Sequence, residues 1–252
     1  MPRTDWTREQ LVPTLRLYLT LPFGKLHLRN PEIIALAKAI GRTPSAVAMK
    51  ACNFASLDPQ HLARGRKGLS AASRADRALW DAFSADSEGF ANEAEAEQER
   101  LELPRAAGDE STLVIPDGPT ESQRLVRARR VQSFFRRAVL TSYESRCAIS
   151  GIAEPGLLVA SHIIPWTESV ERRADPTNGL CLNALFDRAF DRGLLTVDEK
   201  LRVRASKRLR DAVKSAALAC SLLDADGREL ALPYRFQPDP TALEWHRREV
   251  FQ

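Results

Sequence analysis

The feature that most constrains the fold of this chain is a strand–loop–strand–helix pattern in its second half. Leu157–Ile164 predicts a short strand, and Gly179–Leu182 predicts a second one. The intervening segment, Pro165–Thr177, follows neither regular period and predicts a long loop. Asn183 is a typical N-cap residue, and it precedes a helix predicted for Ala184–Gly193. Two short strands followed directly by a helix define a small α+β unit.

Four residues of this unit carry side chains suited to chemistry. His162 lies near the end of the first predicted strand, Asn178 comes just before the second strand, and Asp187 and Asp191 lie on the helix. Side chains four residues apart project from one helical face, so the two carboxylates can meet one ion. Paired oxygens suit a hard cation that keeps several waters, such as Mg²⁺ or Mn²⁺. Each residue alone also has a structural explanation: a strand histidine, an Asn-Gly turn or an exposed aspartate pair. Their order along the chain is what indicates a functional site.

The motifs that carry these residues resemble a known family. Residues 161–166 read S-H-I-I-P-W, residues 178–180 read N-G-L and residues 187–193 read D-R-A-F-D-R-G. They are similar to the motifs S-H-I-x-P-W, N-G-L and D-x-x-F-D-x-G of one branch of the HNH endonucleases, which have the ββα-metal fold. The resemblance is specific from about Phe134 to Thr196. The N-terminal block from W-T-R-E-Q-L to F-A-S-L-D-P also looks like the leading domain of bacterial proteins of this type.

The resemblance implies a metal-dependent endonuclease that hydrolyses DNA phosphodiester bonds with one divalent ion, Mg²⁺ or Mn²⁺. It gives His162 the role of general base, and a neutral imidazole suits the deprotonation of water near neutral pH. It gives Asn178 the role of holding the loop and orienting the histidine. Asp187, helped by Asp191, takes the position of the metal-binding residues of the helix.

Two departures from the family pattern concern the metal. Ser161 precedes the histidine where many HNH enzymes place an acidic ligand, and Asp187 replaces the third histidine of the motif. An aspartate preserves metal binding but favours a harder ion than imidazole does. Cys147 and Cys181 are too few for the four-ligand zinc site of many HNH proteins, so we expect no zinc.

Residues 1–83 predict a helical domain that contains a helix-turn-helix. Asn-Pro at 30–31 and Thr-Pro at 43–44 each combine an N-cap with proline at the first helical position. Gly41 lies between the two helices and can close the first of them in the left-handed conformation. We expect all-helical structure here.

If the helix-turn-helix reads DNA through the N-terminal end of its second helix, Arg42 and Lys50 are the candidate contacts. The segment carries 13 basic and 6 acidic side chains, a net charge of +7, which suits a polyanion. Glycine-turn helix pairs are also common in helical folds without any nucleic-acid role, so a plain helical hairpin stays the alternative.

The middle of the chain predicts an acidic linker followed by a basic helix. Residues 84–119 carry 2 basic and 10 acidic side chains, and several prolines and glycines break any long element. Residues 120–252 then form the predicted HNH domain, which opens with a helix from Thr120 to about Tyr143. Its guanidinium groups suit bidentate phosphate contacts. The candidates for DNA binding on this helix are Arg129, Arg130, Arg136 and Arg137.

The predicted fold class is α+β and mostly helical. With 44% hydrophobic and 28% charged residues, the composition excludes a chain that is disordered throughout. No apolar run approaches the roughly 18 residues of a spanning helix. The first residues are polar and show no signal peptide. We therefore expect a cytoplasmic protein without membrane contact.

Two functions fit these observations. The first is a metal-dependent HNH endonuclease acting on DNA, expected to be double-stranded, in restriction or defence against foreign DNA. The second is a helix-turn-helix DNA-binding protein with a catalytically inactive HNH fold, which the absent acid at Ser161 favours. Because one HNH site cuts one strand, double-strand cleavage needs a homodimer or two successive events, and both stay open.

Overall fold

The chain forms two compact units, Met1–Ala138 and Val139–Gln252. The computed structural model describes residues 5–63, 65, 71–104, 119–212 and 221–252. It confirms the predicted fold class, a largely helical chain with small antiparallel sheets in its C-terminal part. None of the helices in these ranges is both long and apolar enough to cross a membrane.

The first unit is helical throughout the part that the structure describes. Its helices are α1 (Arg8–Thr20), α2 (Pro31–Ala39), α3 (Pro44–Ala55), α4 (Pro59–Ala63), α5 (Arg74–Ala85), α6 (Ser87–Arg100) and α7 (Pro119–Ser142), the last residues of which belong to the second unit.

The helix pair α2–α3 has the caps and the turn that the sequence predicts. The side-chain oxygen of Asn30 accepts a hydrogen bond from a backbone N–H of α2 at 2.8 Å. Thr43 does the same for α3 at 3.2 Å. Gly41 has φ +66°, a left-handed conformation that favours glycine and ends α2 sharply.

Helix α1 lies at the centre of this unit, packed by α2, α3, α5 and α6. Every residue from Leu11 to Thr20 is buried, although the segment includes polar side chains. Arg16 is 1% exposed, and its Nε donates to Oε1 of Glu95 on α6 at 2.6 Å. A charge pair therefore lies inside the core of the helical unit.

The structure corrects the predicted linker over its first part. Ser87–Arg100 is helix α6, and Phe90, Ala91 and Ala94 on it are fully buried. Within this run of alternating Glu and Ala residues, small side chains lie along one buried face of the helix, and α6 packs against α1. Residues 105–118 of the predicted linker lie outside the described residues. The two units divide after Ala138, within α7, and not at the predicted position after residue 119.

The second unit contains the predicted strand–loop–strand–helix. Its elements are β1 (Leu158–His162), β2 (Gly179–Asn183), α8 (Ala184–Asp191), β3 (Leu195–Val197), β4 (Val203–Ala205), α9 (Lys207–Ala212) and α10 (Pro240–Glu249). Strands β1 and β2 pair antiparallel, as do β3 and β4. The β1–β2 register places His162 opposite Gly179, at the end of the hairpin where the long loop leaves and returns.

Helix α8 is held at both ends and along its inner face. Asn183 caps its start by accepting hydrogen bonds from two backbone N–H groups at 3.0 Å. Phe186 and Phe190 are buried, and the helix packs on β1, β2 and β3. After it, Gly193 has φ +65°, and a Cβ there would lie 1.9 Å from the carbonyl oxygen of Val250. Glycine is therefore required where the chain leaves α8.

Candidate active site

His162 stands at the end of β1, and its ring is anchored by the loop that follows. Its Nε2 lies 3.0 Å from the backbone oxygen of Arg173. A carbonyl oxygen only accepts hydrogen bonds, so Nε2 carries the proton and Nδ1 has the lone pair in the neutral ring. Burial lowers the pKa of His162, and the hydrogen bond to Arg173 offsets part of that effect. The histidine is therefore neutral and able to accept a proton near neutral pH.

Asn178 closes the loop between β1 and β2. It is 1% exposed, and its Oδ1 accepts from the backbone N–H of Ile164 at 2.9 Å. Its Nδ2 donates to the carbonyl oxygens of Ile164 at 3.0 Å and Arg172 at 3.3 Å. Its own carbonyl accepts from the N–H of Ile163 at 2.9 Å. The amide thus fixes the backbone that directly follows the histidine.

The two carboxylates lie one turn apart on α8, and both have raised pKa values. Burial raises the pKa of Asp187, while the nearby Ser161 hydroxyl and the Arg188 charge lower it. Partial burial and the charge of Asp187 raise the pKa of Asp191 to about 6. Two neighbouring carboxylates whose pKa values are raised in this way are stabilised in their ionised form by a cation between them.

The oxygen donors at this end of the unit fit a hard divalent cation. Asp187 and Asp191 supply carboxylate oxygens, and the buried Ser161 hydroxyl lies close enough to Asp187 to lower the pKa of that carboxylate. Among the described residues no group of three or more His, Cys, Asp and Glu side chains forms a ready metal cage. Oxygen ligands of this kind suit a hard divalent cation.

Residues 147–198 match the family model described as HNH endonuclease. This segment is an HNH endonuclease domain. The match includes β1, the loop, β2 and α8, and therefore every residue of the site just described.

A search of solved structures found a similarity to a chain titled "Modification dependent TagI restriction endonuclease". The two chains are 21% identical, and the TM-score is 0.35. The alignment covers 46% of this chain and 37% of the other, so this chain spans little more than a third of that neighbour's length. A search of curated proteins found no match.

The second unit also contains a buried histidine, His246, which belongs to its structural framework. His246 on α10 is 1% exposed and stacks on the Phe190 ring, with centroids 3.7 Å apart and an interplanar angle of 9°. Its Nε2 donates to the Phe190 carbonyl at 3.1 Å, and its Nδ1 accepts from the Thr196 hydroxyl at 2.9 Å. The imidazole thereby joins α8, β3 and α10.

The stability of the second unit is expected to fall in mild acid because of His246. Burial lowers its pKa to about 4, whereas an unfolded histidine titrates near 6.5. Between pH 7.5 and 5.5 the unfolded chain takes up a proton that the folded chain does not. The free energy of unfolding should therefore fall by about 1.4 kcal/mol from this group alone. Urea denaturation of the wild type and His246→Phe at both pH values measures it, because the variant keeps a stacked ring without the proton. An equal loss of stability in both proteins would contradict the prediction.

Of the two residues predicted to touch DNA from the helix-turn-helix, Lys50 is corrected by the structure. It is 7% exposed, and its Nζ lies 2.9 Å from both carboxylate oxygens of Asp76, which is fully buried. An ammonium held in this way stabilises the helical unit and is not presented to a groove. Arg42 is half-buried and anchors the N-terminal segment, donating to the Gln10 side chain at 2.8 Å and to the carbonyl of Asp5 at 2.6 Å.

The basic residues of α7 are partly committed to acidic partners within the first unit. Arg137 pairs with Glu32 at 2.6 Å, its side chain being 10% exposed, so its predicted phosphate contact is replaced by an ion pair. Arg130 pairs with Glu99 at 2.6 Å and remains 24% exposed. Arg129 and Arg136 are both half-buried. The candidate DNA contacts on α7 are thus divided between ion pairs within the first unit and half-buried side chains.

Sequence reasoning missed two residues that contact His162: Arg173, whose carbonyl meets its Nε2, and Trp166, whose ring meets the imidazole edge to face with centroids 5.9 Å apart. Trp166 forms part of the quoted motif, so its place four residues after the histidine is a signal that could have found it. Arg173 gives no such signal, since it is one of two adjacent arginines in an irregular loop.

Proposed function

We propose that the protein is a metal-dependent endonuclease that hydrolyses DNA phosphodiester bonds and serves in restriction or defence against foreign DNA. The proposal rests on the HNH domain at residues 147–198, in which the neutral imidazole of His162 is oriented by its hydrogen bond to the Arg173 carbonyl. Helix α8, which bears the two carboxylates, packs on the strand that ends in this histidine.

In the proposed reaction His162 is the general base. Its Nδ1 lone pair takes the proton of the attacking water, and the Arg173 carbonyl stabilises the imidazolium that results. Asn178 keeps the following backbone in place, so the ring does not need to reorganise during the reaction.

Asp187 and Asp191 are the residues proposed to hold one divalent ion, Mg²⁺ or Mn²⁺. HNH nucleases generally use a divalent ion, and such an ion neutralises the charge that develops on the phosphate and the leaving oxygen. The Ser161 hydroxyl lies near Asp187 and helps to keep that carboxylate ionised.

A binding protein with an inactive HNH fold is the second candidate. It is favoured by Ser161, a neutral residue where an acidic ligand is common in the family. The location in the cytoplasm, a homodimer and a DNA-binding role of the helical unit stay predictions.

The test is cleavage of supercoiled plasmid in Mg²⁺, in Mn²⁺ and in EDTA, with DNA from methylation-proficient and methylation-deficient hosts. We expect nicking or linearisation that needs the divalent ion. A difference between the two DNAs would support a restriction role. If neither DNA is cut while both are shifted on a gel, the endonuclease proposal for duplex DNA is overturned in favour of the binding protein.

Asp187→Asn is expected to raise the Mn²⁺ concentration needed for half-maximal cleavage about tenfold, because affinity depends on the number of charged ligands. Calorimetric titration with Mn²⁺ measures the same change without DNA. Glu199→Gln is the matched control, since that side chain is 87% exposed and lies on the β3–β4 turn. Unchanged Mn²⁺ affinity in Asp187→Asn would remove this carboxylate from the metal site.

A further inference from the structure

In the loop between β1 and β2, Arg173 is anchored by both its backbone and its side chain. The backbone oxygen of Arg173 accepts the hydrogen bond from His162 Nε2. The side chain of the same residue turns back along the loop to Trp166, where its Nε donates to the Trp166 carbonyl at 2.9 Å.

The side-chain anchor of Arg173 has two components. Besides the hydrogen bond, the guanidinium lies 4.9 Å from the centroid of the Trp166 ring. An arginine over an indole face is attracted by the ring quadrupole, and indole is the strongest aromatic partner for a cation. The planar guanidinium can stack and donate at the same time, which an ammonium cannot do.

The Trp166 ring in turn contacts the ring of His162. The rings of Trp166 and His162 meet edge to face, with centroids 5.9 Å apart and an interplanar angle of 84°. This is a favoured geometry for aromatic pairs, and it limits rotation of the imidazole. His162, Trp166 and Arg173 thus form a closed triangle of contacts, which we call the base clamp.

Asn178 does not perform this task by itself. Its amide holds the backbone at Ile164 and Arg172, whereas the carbonyl that meets the histidine belongs to the next residue, Arg173. The direction of that carbonyl is set by the rotation of its own peptide, which the Arg173 side chain restrains through Trp166.

We propose that Arg173 is a positioning residue for the general base, acting with Trp166 to hold the Arg173 carbonyl against His162 Nε2 and so keep the Nδ1 lone pair directed at water. The role of His162 in this inference rests on the proposed function. The clamp itself rests on the contacts alone.

Arg172 provides a matched control on the preceding residue. Its guanidinium is also half-buried, but it pairs with Asp239 at 2.5 Å and meets Thr241 at the start of α10. Arg172→Ala removes the same charge from the same loop without touching the base clamp.

The kinetic test compares Arg173→Ala, Arg173→Lys, Trp166→Phe and Arg172→Ala in single-turnover plasmid cleavage with saturating Mn²⁺. Arg173→Ala should slow cleavage roughly 10- to 100-fold, as expected for a misplaced catalytic group, with the Kd for duplex DNA changed less than about threefold. Arg173→Lys should be nearly as slow although the charge is kept, and Trp166→Phe should be intermediate because an aromatic ring remains. Arg172→Ala should stay within about threefold of the wild type.

A spectroscopic test detects the effect of the base clamp on the His162 tautomer and does not depend on DNA cleavage. Long-range ¹H–¹⁵N correlation spectra of the His162 ring should show the Nε2–H tautomer in the wild type and in Arg172→Ala. A mixture of tautomers is expected in Arg173→Ala and in Arg173→Lys. These spectra decide the proposal even if the wild-type protein cuts no DNA.

Three results would overturn the proposal. One is an unchanged tautomer and rate in Arg173→Ala, and another is equal slowing in Arg172→Ala. The third is a loss confined to DNA affinity and restored in Arg173→Lys, which would make Arg173 a phosphate contact. Circular dichroism melting verifies that each variant is folded, and the lysine variant keeps the test valid if alanine unfolds the loop.

Discussion

His162→Ala is expected to lower the single-turnover rate of DNA cleavage roughly 100- to 10,000-fold, the range that a general base contributes. Without the imidazole, the attacking water has no neutral acceptor for its proton at the end of β1. The Kd for DNA and the melting temperature should change little, because the side chain is only partly buried and lies at the end of a strand. Plasmid cleavage and fluorescence anisotropy with a labelled duplex measure the two quantities in the same buffer.

The control for this substitution is His27→Ala, which removes an exposed histidine from the helical unit. It should cleave at the wild-type rate. Added imidazole should restore part of the activity of His162→Ala, since it can enter the space that the side chain leaves. Cleavage that persists in His162→Ala would assign the base to another group. Absence of cleavage in every protein, with DNA binding intact, would support the inactive-fold alternative.

The candidate site could be predicted from the sequence because its residues are close in the chain and follow a fixed order. His162, Asn178 and Asp187 lie within 26 residues, on elements with strong local signals such as the Asn183 cap. Local patterns determine such a unit, and the structure places each residue on the expected element. The base clamp was missed because Arg173 acts through its backbone carbonyl and through a stacked contact, and neither leaves a pattern in the sequence.

The helical unit was harder to predict because several of its charged residues form buried ion pairs in its core. Lys50 lies on the second helix of the helix-turn-helix, where a DNA contact is expected. Its ammonium is instead buried in an ion pair with Asp76, which is 26 residues later in the chain. The glutamates of α6 indicate a solvated linker by composition, although Glu95 reaches the core. Pairing between residues distant in sequence decides whether a charge is a surface or a core feature, and one sequence does not reveal that pairing.

The largest stability effect is expected at the buried ion pair of Arg16 and Glu95 in the helical unit. Glu95→Ala should lower the free energy of unfolding by about 3–5 kcal/mol, the cost of leaving one buried charge without its partner. Arg16 is already difficult to satisfy, since its Nη1 is buried with no hydrogen-bond partner within the described residues. Without Glu95, the Arg16 guanidinium either stays in the core without a counter-charge or moves toward solvent, which would separate α1 from α6. Urea denaturation followed by circular dichroism measures the change.

The neighbouring ion pair on the same two helices supplies the comparison. Arg8 and Glu93 meet at 2.7 Å, but their side chains are 57% and 37% exposed. Glu93→Ala should therefore cost only about 0–1 kcal/mol. The double variant Arg16→Met with Glu95→Leu should regain much of the stability lost in Glu95→Ala, because apolar side chains of similar volume carry no desolvation cost. Equal effects of Glu95→Ala and Glu93→Ala would mean that water reaches the buried pair, whereas the expected difference would establish that the acidic run of α6 contributes a core charge to the fold.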